Sequence, residues 1–267
     1  MKKQVSILDI LGKKGNEPIV MITSYDATMT RIVDECDVDI ILVGDSAGNV
    51  MAGLDNTLGV TMDMMVYHTQ CVTRTKPAAM VVADMPFLSY QASVANAVRN
   101  AGRLLQEGGA QAVKLEGGQR VIEQARAIVR ADIPVMGHLG LTPQSVHAFG
   151  GFKVQGRSVE AARLLKENAL MLQDAGFFSI VLECVPDDVA REVTDALTIP
   201  TIGIGAGPRC DGQVLVIQDL LGMNKDFKPK FVKRFADLHE AIKAAVDTYA
   251  DEVRKGTFPA EEHCFKS

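Results

Sequence analysis

The chain has 267 residues, 47% hydrophobic and 23% charged, which is enough to bury a full core, and no Pro/Ser-rich linker, low-complexity tract, charge block or internal repeat divides it. A formal net charge of −5 without a concentrated basic patch argues against nucleic-acid and anionic-membrane partners and makes small molecules the expected ligands. Five widely spaced cysteines without a CxxC pair fit reduced thiols in the cytoplasm, and neither a signal-peptide h-region nor an eighteen-residue apolar run is present.

Taken in chain order, short apolar, β-branched runs recur at 19–23, 40–43, 79–83, 112–115, 133–136, 179–182, 201–204 and, with the weakest signal, 214–217. Between most of them lie longer stretches of helical periodicity, among them 94–106, 120–129, 159–175 and 188–197. Strand and helix alternating in this way predict a parallel α/β fold. The runs are continuously apolar, so both faces of each strand are buried, which suits a doubly wound sheet as well as a barrel. A count of about eight strands favours a (β/α)8 TIM barrel, expected as one domain over residues 1–267.

In a barrel the C-terminal strand ends form the active-site mouth. Here those ends carry Gly44-Asp45-Ser46, Asp84-Met85-Pro86, Lys114-Leu115-Glu116, Gly137-His138-Leu139 and Glu183-Cys184. Asp45 and Asp84 close neighbouring strands, which lie roughly 4.8 Å apart, a spacing at which carboxylates can share a hard divalent cation. Glu116 ends the next strand and can serve as a further ligand or reach through a water. With no Cys/His cluster, magnesium or manganese suits such a site better than zinc. The alternative is three unrelated helix caps or ion-pair partners.

Lys114 and Glu116 are two apart on one strand and share a face, so they either form an internal ion pair or present Lys114 to a substrate oxygen. Glu183 follows an apolar run, and desolvation there would suit it to take a proton from carbon; a cap or surface acid is the competing reading. His138 can exchange a hydrogen bond with a reacting oxygen, although a lone histidine after a strand is more often structural. The glycines at 203, 205 and 207 are better read as a tight turn after the seventh strand than as a dinucleotide fingerprint, because Pro208 follows at once and the third glycine is misplaced.

Several segments together resemble the ketopantoate hydroxymethyltransferase family. They are Leu42-Val43-Gly44-Asp45-Ser46, Ala83-Asp84-Met85-Pro86-Phe87, Val113-Lys114-Leu115-Glu116-Gly117-Gly118, Gly137-His138-Leu139-Gly140-Leu141-Thr142-Pro143-Gln144, Gly150-Gly151-Phe152-Lys153 and Leu182-Glu183-Cys184-Val185-Pro186. The match is looser at 54, 56 and 59, where the family pattern has an aromatic or His, a Ser and often a Pro, and this chain has Leu54, Asn56 and Gly59.

The resemblance implies a (β/α)8 barrel of cytosolic pantothenate synthesis in which 5,10-methylenetetrahydrofolate gives a hydroxymethyl group to 3-methyl-2-oxobutanoate through an enolate held on magnesium. It implies Asp45 and Asp84 as magnesium ligands, with Glu116 at the metal directly or through water. Asp45, Ser46, Asp84, Lys114 and His138 become the substrate-binding set, and Glu183 the proton acceptor. Members are typically large homo-oligomers, commonly decamers. Another enolate-handling barrel of the phosphoenolpyruvate mutase/isocitrate lyase group and a non-catalytic 2-oxo-acid sensor are the competing classes.

Overall fold

A computed structural model describes residues 3–266. The chain divides into two compact units, one ending at Val216 and one beginning at Ile217. The elements of the first, in chain order, are α1 (Ile7–Gly12), β1 (Ile19–Thr23), α2 (Ala27–Glu35), β2 (Ile40–Val43), α3 (Ala47–Val50), α4 (Met62–Thr73), β3 (Met80–Asp84), α5 (Val94–Gln106) and β4 (Ala112–Glu116). There follow α6 (Ile122–Arg130), β5 (Val135–Gly140), α7 (Val146–Phe149), α8 (Val159–Asp174), β6 (Ser179–Glu183), α9 (Asp187–Ala196), β7 (Thr201–Ile204) and β8 (Gly212–Leu215). The second unit holds α10 (Ile217–Leu220) and α11 (Leu238–Lys255).

The eight strands form a closed barrel in sequence order, every pair parallel, with β1 bonded to β8. Helices start where the sequence supplies caps: Asp26 accepts from Thr28 and Met29 at the start of α2, and Ser93 and Ser158 do the same service for α5 and α8. Of the two folds that the sequence leaves open, the barrel is the one formed.

Side chains two apart on a strand share a face, and this period sorts the barrel interior into layers. At the N-terminal end the interior is apolar: Ile19, Met21, Ile40, Leu42, Met80, Val82, Ala112, Met136, Val181 and Ile202 make one buried cluster. Helix α1 adds Ile10, wholly buried, and packs Ile7 and Leu11 against the same cluster, with Val5 just before the helix. Two residues further along the same strands the chemistry changes. Val82 gives way to Asp84, Ala112 to Lys114 and then Glu116, Met136 to His138, and Val181 to Glu183.

The bounds of β3, β4 and β6 differ from the predicted runs by one residue, and those of β5 and β8 by more. β5 runs to Gly140, so His138 lies within a strand and pairs with Val181 and Glu116, not in a loop after it. Gly137 is there because a Cβ would stand 2.9 Å from Leu172 Cδ1 of α8, a close helix approach rather than a turn. β8 begins at Gly212, two residues before the predicted run, because β1 passes so close that a Cβ would meet the Ile19 carbonyl oxygen at 2.5 Å.

Candidate active site

The acidic and basic residues predicted to converge at the mouth do so, and nearly all are buried. Asp45, Asp84, Lys114, Glu116 and His138 are each at most 6% exposed, and the Glu183 side chain is 16% exposed. Lys114 Nζ is 2.8 Å from Asp84 Oδ1, a pairing that the β3–β4 register sets by putting the two residues side by side. The backbone N–H of Asp45 donates to Asp84 Oδ2 at 3.0 Å, bringing the first two predicted ligands into contact. Gly44 makes this possible: a Cβ at that position would stand 2.6 Å from Ser46 Oγ and 3.5 Å from Asp84 Oδ2.

His138 sits between two carboxylates. Its Nδ1 is 3.3 Å from Glu116 Oε1 and its Nε2 is 3.1 Å from Glu183 Oε2, while Lys114 Nζ lies 3.4 Å from Nδ1. Glu183 thus has an imidazole as its near neighbour, not the apolar surround that its preceding run predicts. Burial and the Lys114 charge push the His138 pKa down, but the flanking Glu116 and Glu183 side chains outweigh them and raise it to about 9. For Lys114, burial disfavours the ammonium, yet Asp84, Glu116 and Asp45 prevail and its pKa rises. Both bases are therefore cations at neutral pH.

Asp45 is the opposite case. Burial first, and then the charges of Asp84 and Glu116, hold its carboxyl well above the usual range, against the pull of Lys114 and Gln144. The cluster sets four carboxyl groups, Asp45 among them hard to ionise, against two cations in a water-poor space. Asp84 Oδ1 and His138 Nε2 meet their charged neighbours by proximity without a well-aligned hydrogen bond, so each keeps bonding capacity at the centre of the cluster. Excess buried negative charge on hard oxygen donors fits a divalent cation such as magnesium, which takes one or two protein carboxylates and fills its remaining positions with water and substrate. Among the described residues no three His, Cys, Asp or Glu side chains form a ready cage; Asp45 and Asp84 are in contact, and Glu116 lies one strand further round.

Sequence reasoning missed a polar layer behind these groups. Tyr25, wholly buried, places its hydroxyl 2.8 Å from Ser46 Oγ, and its own carbonyl is bonded by His68 Nδ1 at 2.9 Å. The Tyr90 hydroxyl lies 3.0 Å from both the backbone N–H and the carbonyl of Glu116, and 2.9 Å from Gln144 Oε1. The Gln144 amide reaches Asp45. Nothing at single positions flags these residues, since a tyrosine in a loop and a glutamine after proline are common; the signal was the length of the polar motif around Gln144. Cys184 adjoins Glu183 at the mouth, where burial and then the Glu183 charge push its thiol up to about 11.

The turn after β7 is glycine-built as predicted: Gly205 and Gly207 have φ of 64° and 75°, and a Cβ at Gly207 would meet Asp187 Oδ1 at 2.3 Å. The segment that departs from the family pattern is also tied down. Asn56 Oδ1 accepts from Leu58 N–H at 3.0 Å, Leu54 N–H bonds the Gly48 carbonyl at 2.8 Å, and Asn49 Nδ2 bonds the Leu54 carbonyl at 2.9 Å.

A family model described as ketopantoate hydroxymethyltransferase matches residues 4–261. The chain belongs to this family. A 3-methyl-2-oxobutanoate hydroxymethyltransferase of Syntrophomonas wolfei is 60% identical over 253 residues, covering 95% of this chain and 92% of that one. The corresponding enzyme of Geobacter sulfurreducens is 58% identical, covering 99% of this chain and all of its own length. This ketopantoate hydroxymethyltransferase family member is accordingly an enzyme and a transferase. Among solved structures, a phosphonopyruvate hydrolase in complex with oxalate and Mg2+ superposes with a TM-score of 0.63 at 10% identity, over 98% of this chain and 92% of that one. A 2,3-dimethylmalate lyase of the PEP mutase/isocitrate lyase superfamily gives 0.59 at 16% identity, over 97% and 91%. At such identities these likenesses speak for the fold alone. No helix among the described residues is long and apolar enough to cross a membrane.

Proposed function

We propose that this enzyme transfers a hydroxymethyl group from 5,10-methylenetetrahydrofolate to 3-methyl-2-oxobutanoate, forming ketopantoate for pantothenate synthesis in the cytoplasm, as a homo-oligomer of the decameric kind. The names of its relatives support the 2-oxo acid, and the resemblance of its motifs supports the folate donor, the compartment and the assembly. Asp45 and Asp84 would hold magnesium, with Glu116 bound directly or through a water. Magnesium, when bound, supplies Lewis-acid polarisation of the substrate carbonyl.

The chain's own residues account for the remaining work. Ser46 and the buried Lys114 ammonium orient the substrate's carboxylate and keto oxygens, and closure of the site from water strengthens each of these contacts. Glu183 takes the proton from C3, so the C–H electron pair moves toward the carbonyl and C3 becomes nucleophilic toward the one-carbon unit. His138, held as a cation between Glu116 and Glu183, orients the accepting carboxylate and shields it from the other acids. The observation that carries this reading is the juxtaposition of Glu183, His138, Lys114 and Asp84 in one buried cluster, a base beside cations that can bear developing negative charge.

Purified protein mixed with Mg2+, 3-methyl-2-oxobutanoate and 5,10-methylenetetrahydrofolate is expected to yield ketopantoate, detected by mass spectrometry. Absence of product with folded protein, or production that is indifferent to the folate, would overturn the assignment.

A further inference from the structure

Gln144 lies outside the residues assigned above, yet every polar atom of its side chain is engaged at the back of the acid cluster. It is 6% exposed. Its Nε2 donates to Asp45 Oδ2 at 2.9 Å and to the Met85 carbonyl at 2.9 Å, which uses both amide hydrogens. Its Oε1 receives the Tyr90 hydroxyl at 2.9 Å and Gln91 Nε2 at 3.2 Å. Its backbone N–H donates to Glu116 Oε2 at 3.0 Å. One residue therefore holds two of the three acids, Asp45 by its side chain and Glu116 by its main chain.

The direction of the amide is fixed by chemistry. The Met85 carbonyl can only accept, so the nitrogen faces it, and the same nitrogen then faces Asp45. Asp45 Oδ2 meets a neutral donor that cannot give up its proton, and so one carboxylate oxygen is pinned while lone pairs remain for an ion. A carboxylate in place of the amide would repel Asp45, and an apolar side chain would leave Asp45 Oδ2 and the Met85 carbonyl buried without this donor.

We infer that Gln144 is a positioning residue that aims Asp45 at the divalent cation. This inference rests on the proposed function, because it takes Asp45 to be a metal ligand. Partners of this kind, one bond behind a ligand, typically contribute about 10- to 100-fold to metal affinity.

Calorimetric titration of Mg2+ into protein saturated with 3-methyl-2-oxobutanoate separates the possibilities in four proteins: wild type, Asp45→Asn, Gln144→Met and the double variant. Gln144→Met is expected to bind Mg2+ at least about tenfold more weakly than wild type, and the double variant no more weakly than Asp45→Asn alone, because Gln144 acts through Asp45. Wild-type affinity in Gln144→Met, or losses that add in full, would overturn the inference while leaving the metal reading intact. If Asp45→Asn binds as tightly as wild type, or wild type does not bind at all, the metal reading fails and this inference with it. Should Gln144→Met not fold, Gln144→Glu carries the test, since it keeps the length and an acceptor for Tyr90 but removes the donor facing Asp45. Mg2+ affinity is expected to fall at least about tenfold in that variant, and wild-type affinity overturns the inference.

Discussion

The lower and upper halves of the barrel interior are built by the same strands and the same inward face, two residues apart, yet they are opposite in chemistry. Below, Met80, Val82, Ala112, Met136 and Val181 fill the space with dry apolar side chains. Above, Asp84, Lys114, Glu116, His138 and Glu183 fill it with buried charge. The lower layers hold the strands in register, and that rigidity is what permits groups that would repel or unfold a softer structure to be held within hydrogen-bonding distance above. The lower half is packing alone, whereas the upper half carries the reactivity.

Substitutions in the lower half should therefore change stability and leave turnover alone, whereas those in the upper half should change turnover. The largest effect is expected for Asp84→Ala, which removes a proposed ligand and strands Lys114 without its 2.8 Å partner. Activity and magnesium dependence should both disappear, and unfolding should become easier by roughly 3–5 kcal/mol from the unpaired buried charge; an active variant indifferent to chelator would break the comparison at its upper end. Met80→Ala in the lower half should cost roughly 2–5 kcal/mol in denaturant unfolding through the cavity it leaves. Turnover per folded molecule should stay at the wild-type level, and a selective loss of turnover would show that the halves are not separable.

The shallowest effect is a pH dependence of the metal-free protein. The His138 pKa is raised in the folded state to about 9 from an ordinary 6.5, so its contribution to stability is complete below about 6.5 and is lost as pH rises through 9. Stability should decline across that window with a slope of at most about 1.4 kcal/mol per pH unit for the single proton. His138→Gln should flatten that part of the profile, and an unchanged slope in the variant would place the proton elsewhere.

The lower half of the interior was the more legible from sequence. Continuous β-branched runs locate β1, β2 and β7 to the residue, at 19–23, 40–43 and 201–204. The upper half was legible as a set of residue types at strand ends but not as a geometry. Glycine lies at both displaced strand bounds: the predicted runs stop at 136 and start at 214, whereas Gly137 and Gly212 sit inside strands and admit a close neighbour, Leu172 in one case and the Ile19 carbonyl in the other. The ring of Tyr25, Tyr90 and Gln144 behind the acids was hidden for another reason. Its members come from loops and short turns remote in sequence, and only closure of the barrel brings the Gln144 amide to Asp45, ninety-nine positions away.

The central claim is that the charged upper layer exists to let Glu183 take a proton from carbon. Exchange of the C3 hydrogen of 3-methyl-2-oxobutanoate with D2O, followed by proton NMR in the presence of Mg2+ and without folate, tests that step apart from the transfer. The wild-type protein should exchange the hydrogen, and Glu183→Gln should bind the oxo acid and the metal yet leave C3 unexchanged; wild-type exchange in that variant would contradict the account.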